Sequence, residues 1–146
     1  MAGTETEKKE TRDKYYKRII EYRDMGFMKD IGITSVEIRE GYAKAEVVIE
    51  DRHMNPIGSV HGGVLYTIAD AVGGTAAVSR GKLVTTLSGS MNYLRPAINC
   101  KKVIGESREI KVGKNVCVYE VMLTDENGKE LALANMTYYY MGEFEI

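Results

Sequence analysis

Residues 62–79 read GGVLYTIADAVGGTAAVS, a run of small and apolar side chains broken by one charge, Asp70. No strand runs that long without alternating polar and apolar positions, so the stretch predicts a helix, roughly 27 Å long at about 1.5 Å per residue. It shows no polar face, which implies burial nearly all round. Gly73, Gly74, Ala76 and Ala77 leave room for another element to approach closely, although each glycine costs about 1 kcal/mol of helix propensity. That small-residue face suggests a second subunit packed against it.

Outward from this helix the pattern changes to period two. Downstream, strands are expected over Leu83–Leu94, Lys101–Val112, Val116–Thr124 and Glu130–Met141, with turns at Gly113-Lys114-Asn115 and Asp125–Gly128. Upstream, Ile33–Glu40 and Tyr42–Glu50 flank a Glu40-Gly41 turn; Ala43, Ala45, Val47 and Ile49 fall on one face, Lys44, Glu46 and Glu50 on the other. Residues 51–60 (DRHMNPIGSV) read as a loop. Tyr15, Ile19 and Tyr22 form a helical stripe from about Glu10 to Met25, and Gly26 stands where that helix should stop. Residues 1–9 are expected to be a disordered polar tail and residues 10–146 a single domain. One apolar helix with five or six antiparallel strands implies an α+β domain whose sheet wraps round the helix.

Composition narrows the functional classes. The chain of 146 residues is long enough for one real core. Its 28% charged residues and net charge of −1 are interspersed in sign, so no nucleic-acid partner is expected. No run of about 18 apolar residues exists to span a membrane, and the polar N-terminus lacks a signal-peptide core. Cys100 and Cys117 have no metal-type spacing, and with two histidines no metal or cofactor is expected. Free thiols of this kind suit a reducing, cytoplasmic compartment.

The chemistry concentrates around the helix. A carboxylate amid Ile68, Ala69, Ala71 and Val72, with no Lys or Arg at i±3 or i±4, is costly unless it has a task. His61-Gly62-Gly63 opens the helix, where backbone N–H groups and the helix dipole favour a developing oxyanion; a plain glycine N-cap would look the same. Asn55-Pro56 is an ordinary turn opener. Thr85 and Thr86 begin the next strand, where a hydroxyl could face Asp70. There is no G-x-S-x-G elbow, Walker loop or G-x-G-x-x-G loop.

Together, NPIGSVHGGVLYTIAD (55–70) and MNYLRPA (91–97) resemble the hotdog-fold thioesterases of the phenylacetyl-CoA thioesterase (PaaI-like) branch. The resemblance runs from about Asp30 to Tyr140. Its specific part is the combination of Asn55, His-Gly-Gly starting at His61, and Asp70. It implies the hotdog fold, an acyl-CoA substrate, no cofactor, and homodimers or homotetramers with active sites at the dimer interface. It also implies Asp70 as general base or nucleophile, the Gly63 N–H as the group that polarises the thioester carbonyl, and His61 and Asn55 as positioning residues. Thr86, or Thr85, would orient water.

Two other classes fit the same fold: a non-catalytic acyl-CoA-binding protein, and an enoyl-thioester hydratase or dehydratase. Binding alone needs none of Asp70, Asn55 and His61, and hydration wants a His/carboxylate pair. The acyl group is not legible. Arg80, Lys82, Arg95, Lys101 and Lys102 could meet CoA phosphates, but surface cations are mostly solvated, and the sequence singles out none of them.

Overall fold

The computed structural model describes residues 3–145. In chain order its elements are α1 (Glu5–Arg23), α2 (Gly26–Ile31), β1 (Thr34–Arg39), β2 (Tyr42–Val48), α3 (Gly62–Val78), β3 (Lys82–Tyr93), β4 (Lys102–Val112), β5 (Val116–Asp125) and β6 (Glu130–Glu143), with a 3-10 turn at Asp51–His53. The strands form one antiparallel six-stranded sheet in the order β1-β2-β4-β5-β6-β3. It curves round α3, which touches every strand. This is the hotdog arrangement expected from the sequence, with β1 and β3 at the edges.

Alternation places the core as the sequence implied. Ala43, Ala45 and Val47 of β2 are buried, as are Cys117, Tyr119, Val121 and Leu123 of β5. They meet Ile68 and Val72 of α3 in one cluster. Each fully buried Val, Leu or Ile side chain among them contributes about 1.5–3 kcal/mol. Gly105 of β4 allows the helix to sit this close, because a Cβ there would come within 3.0 Å of Ile68, Val72 and Leu123.

Three expectations need correction. First, α1 starts at Glu5, not Glu10, so the expected disordered tail 1–9 is helical from Glu5; Met1 and Ala2 lie outside the described residues. Thr4 and Glu7 form a reciprocal capping box, with each side chain accepting from the other residue's backbone N–H at 3.3 and 2.7 Å.

Second, the chain does not leave helix for good at Gly26. A short second helix follows, ended by Gly32 at φ 86°, a left-handed cap that glycine adopts without strain. Its Met28 and Ile31 pack on the core.

Third, the small-residue face of α3 is covered by its own chain. Gly73 sits under the Tyr138 ring, Gly74 under the Arg23 guanidinium, and Ala76 and Ala77 are fully buried. That face therefore gives no reason for a partner. Burial is complete only in the C-terminal half of α3. Gly63, Tyr66, Thr67 and Asp70 form an open stripe at helical spacing along the first half.

No helix among the described residues is long and apolar enough to cross a membrane.

Candidate active site

Asp70 is half-buried at the end of the open stripe. Thr86 of β3 donates its hydroxyl to Asp70 Oδ1 at 2.6 Å. The register of β3 against β6 slips between Thr86 and Ser88, and such bulges re-aim neighbouring side chains. Thr86, rather than Thr85, therefore meets the carboxylate, although both line the adjoining cavity.

Beneath the pair, Tyr138 donates to the Asp70 carbonyl at 2.7 Å. Burial, reinforced by the Asp70 charge, pushes the Tyr138 phenol well above its usual pKa, so it stays a donor and pins this turn of the helix. At mid-strand, Gly89 leaves room for the Tyr66 hydroxyl to lie against β3.

The cavity beside Asp70 has a volume of about 380 Å³. Its walls include Met25, Phe27 and Met28 around α2, Val84 of β3 and Arg23 at the end of α1. Phe27 is 65% exposed and Met25 56%, so this apolar wall faces an open space. The N-terminal helical region thus supplies one wall of the cavity.

The other expected residues lie at and before the N-terminal end of α3. His61 is the N-cap, and its Nδ1 accepts from the Gly63 N–H at 2.8 Å. The Gly63 N–H assigned to an oxyanion therefore already has a partner. Asn55 staples its own loop: Oδ1 accepts from the Ile57 and Ser59 N–H groups at 3.1 and 3.0 Å, and Nδ2 donates to Ser59 Oγ at 2.8 Å. Asn55 and Gly62 line a second groove with Tyr93, Leu94 and Arg95, and Tyr93 donates to the Gly62 carbonyl at 2.9 Å.

Gly63 and Asp70 are seven residues apart on one helix, about 10 Å along its axis. Both cannot come within about 3 Å of one carbonyl and its attacking water. The single chain thus brings Asp70 and Thr86 together but leaves Asn55, His61 and Gly63 elsewhere.

Sequence reasoning missed His53, which is 1% exposed. Its Nδ1 accepts from the Glu50 N–H at 2.9 Å and its Nε2 donates to the Ile31 carbonyl at 2.7 Å. Its own carbonyl accepts from the His61 N–H at 2.8 Å. One side chain therefore joins α2, a wall of the Asp70 cavity, to the loop that carries Asn55. A histidine in a loop gives no sequence signal for such a role. Of the cations considered for phosphate contact, Arg80 is committed to Glu109 and Glu40 and Lys102 to Glu46, while Arg95 donates to the Glu130 carbonyl.

Comparison with known proteins gives a consistent result. The profile of the thioesterase superfamily matches residues 57–132. A putative esterase of Archaeoglobus fulgidus is 32% identical over 74% of this chain and 70% of its own length. The acyl-coenzyme A thioesterase PaaI of Escherichia coli is 25% identical over 77% of this chain and 80% of its own. The solved structure of the E. coli PaaI protein from the phenylacetic acid degradation operon shares the fold with a TM-score of 0.82, at 22% identity over 90% of this chain and 94% of that one. A Streptococcus mutans protein solved with bound acetyl-CoA gives 0.74 at 26% identity, over 77% and 91%.

Proposed function

From its membership of the thioesterase superfamily, to which this chain belongs, we propose that it hydrolyses an acyl-CoA thioester to free CoA and a carboxylic acid. The observation that carries the reading is the Thr86–Asp70 hydrogen bond in the lining of the cavity beside α3. A threonine hydroxyl fixes one carboxylate oxygen and leaves the other for a water molecule. The names of the E. coli relative and the acetyl-CoA-bound S. mutans structure support acyl-CoA as the substrate class.

In the reaction, Asp70 takes a proton from water as the oxygen attacks the thioester carbonyl. The tetrahedral oxyanion accepts from the Gly63 N–H, which leaves His61 Nδ1 to do so. A donor of this kind contributes about 2.7–4 kcal/mol to the transition state. The intermediate collapses with cleavage of the C–S bond, and the proton on Asp70 passes to the departing thiolate. Direct attack by Asp70 through an acyl anhydride is the other route; label found in the protein after single turnover in ¹⁸O-water would identify it, through water attack at the Asp70 carbonyl of the anhydride.

Two copies complete the site in this proposal. β3 has a free edge and lies beside both half-sites: Thr85 and Thr86 line the Asp70 cavity, Tyr93 and Leu94 the Asn55 groove. Antiparallel pairing of β3 with β3 of a second copy, about an axis near Gly89 and Ser90, sets the Thr86 end of one chain against the Tyr93 end of the other. Asp70 and Thr86 then face the partner subunit's Asn55, His61 and Gly63. The partner would also cover an otherwise solvent-exposed pair, which strengthens the electrostatics there.

The test is thiol release from a panel of short, long, aromatic and hydroxylated acyl-CoAs, without added metal or nucleotide. Release of stoichiometric CoA is the expected result. Binding without release would overturn hydrolysis in favour of an acyl-CoA-binding protein, and hydrated thioester without free thiol would favour a hydratase.

A further inference from the structure

We infer that Arg23 reads a carboxylate at the far end of the acyl group, so that the preferred substrates are CoA thioesters of dicarboxylic acids. The inference rests on the acyl-CoA reading above and extends it to the acyl group.

The N-terminal helix delivers the charge. Arg23 is the last residue of α1, and its guanidinium lies over α3 one turn beyond Asp70. Its Nε donates to Thr75 Oγ1 at 3.3 Å and its Nη2 to the Ala71 carbonyl at 3.4 Å. Both are long against about 2.9 Å for an ordinary N–H···O bond. Thr75 itself donates to the same Ala71 carbonyl at 2.8 Å, so Arg23 is the weaker donor there.

The arginine is also without a counter-ion. Among the described residues no carboxylate comes within ion-pair distance of Arg23. The neighbouring Asp24 is turned to β1, where it accepts from the Ser35 N–H and hydroxyl at 3.0 and 2.8 Å. Asp70 is held by Thr86. A half-buried guanidinium with only long, partial hydrogen bonds keeps donors free for a further acceptor.

The surroundings decide what that acceptor would be. Arg23 lines the same cavity as Asp70, together with Met25, Phe27, Met28 and Val84. An acyl chain whose carbonyl sits at Asp70 passes these apolar walls and ends in the region of Arg23. A methyl terminus there leaves the cation as it is. A carboxylate terminus matches the guanidinium fork and supplies the missing charge.

Gly74 makes room for this arrangement, since a Cβ at that position would come within 2.5 Å of Nη2. Gly74→Ala therefore keeps the charge and removes its seat, while replacing glycine by a better helix former.

The experiment compares pairs of equal chain length: butyryl- with succinyl-CoA, pentanoyl- with glutaryl-CoA, and hexanoyl- with adipoyl-CoA. In the wild type, at least one carboxylated member should exceed its methyl-ended partner in kcat/KM by about tenfold or more, the yield of one charge-assisted pair. That ratio should fall to near unity in Arg23→Met and drop in Gly74→Ala. If Arg23 only ties α1 to α3, its loss lowers both members equally and the ratio is unchanged, which overturns the inference.

A wild type that prefers methyl-ended chains overturns it without any variant. Equal preference for 6-hydroxyhexanoyl-CoA over hexanoyl-CoA overturns the assignment to a carboxylate. Calorimetric Kd values for non-hydrolysable thioether analogues of the same pairs give the ratio independently of turnover. Absence of hydrolysis therefore defeats the proposed activity, whereas absence of a Kd preference defeats the role of Arg23.

Discussion

Thr86 and Asp70 lie sixteen residues apart in sequence yet are joined by a 2.6 Å hydrogen bond. The bond ties the open stripe of α3 to the edge strand at a bulge. It also divides the work of the carboxylate, since one oxygen is held by the threonine and the other is left to the cavity. The hydrogen bond thereby fixes the orientation of the Asp70 side chain.

Asp70→Asn should lower kcat by about 10²–10⁴, the usual range for loss of a general base, with the thermal midpoint little changed. Thr86→Val should cost less, and Thr86→Ser should restore most of the loss by returning the hydroxyl. Steady-state kinetics with the best acyl-CoA checks both. Wild-type turnover in Asp70→Asn would remove the aspartate from the mechanism.

Gly73→Ala tests whether α3 and β6 fit as closely as the Tyr138 phenol implies. Alanine gains about 1 kcal/mol of helix propensity, but its Cβ collides with the Tyr138 ring and hydroxyl. Overpacking of this sort typically costs about 1–3 kcal/mol, and the shifted phenol also loses the Asp70 carbonyl. Net destabilisation is expected in denaturant unfolding. Tyr138→Phe should relieve part of it, so the double variant should be less unstable than the two single effects add to. Strict additivity would mean that the two residues do not meet.

Glu109 sets an acid limit on stability. Burial alone would raise its pKa, but hydrogen bonds from Arg80 at 2.6 and 2.8 Å and from Tyr119 at 2.8 Å outweigh burial and hold it below the usual carboxylate value. A folded-state pKa below the unfolded one stabilises the protein fully above the unfolded value, about 4.3 for glutamate. That stabilisation disappears as pH falls through the lowered folded value. Glu109→Gln should therefore lower the thermal midpoint at pH 7, and the gap to wild type should narrow steadily below about pH 4. Calorimetry across that range checks it; a gap independent of pH would show that the charge of Glu109 is not what matters.

Much of this was legible because it is periodic. Strand alternation located all six strands to within a few residues, and the lone charge in residues 62–79 pointed to Asp70. The Thr4-x-x-Glu7 capping signal was also present in the sequence, although the charged composition around it reads as a tail. The rest depends on side chains reaching across the fold. Whether Gly74 faces a partner or Arg23 is settled by a contact 51 positions away, and no local pattern encodes it. The short α2 has too few turns to show a period. His61 takes the Gly63 N–H by a rotamer choice that composition does not reveal.

The proposed two-chain site has the most discriminating test, because one chain separates Gly63 from Asp70 by about 10 Å. In the proposed two-fold dimer each site would take Asp70 from one chain and Asn55, His61 and Gly63 from the other. Asp70→Ala and Asn55→Ala chains should each be nearly inactive alone. Co-expressed as a mixed dimer, they place both lesions in one site and leave the other intact, so activity should return. The loop role of Asn55 does not spoil the test. The Asn55→Ala chain contributes only Asp70 and Thr86 to the intact site, while its damaged loop lies in the dead one. Mixed dimers isolated with two different affinity tags exclude the parent species. If each site were built within one chain, every site in the mixture would carry a lesion and mixing would restore nothing. That result, or full activity from a monomer at nanomolar concentration, would refute the two-chain site while leaving the Asp70–Thr86 pair and its cavity in place.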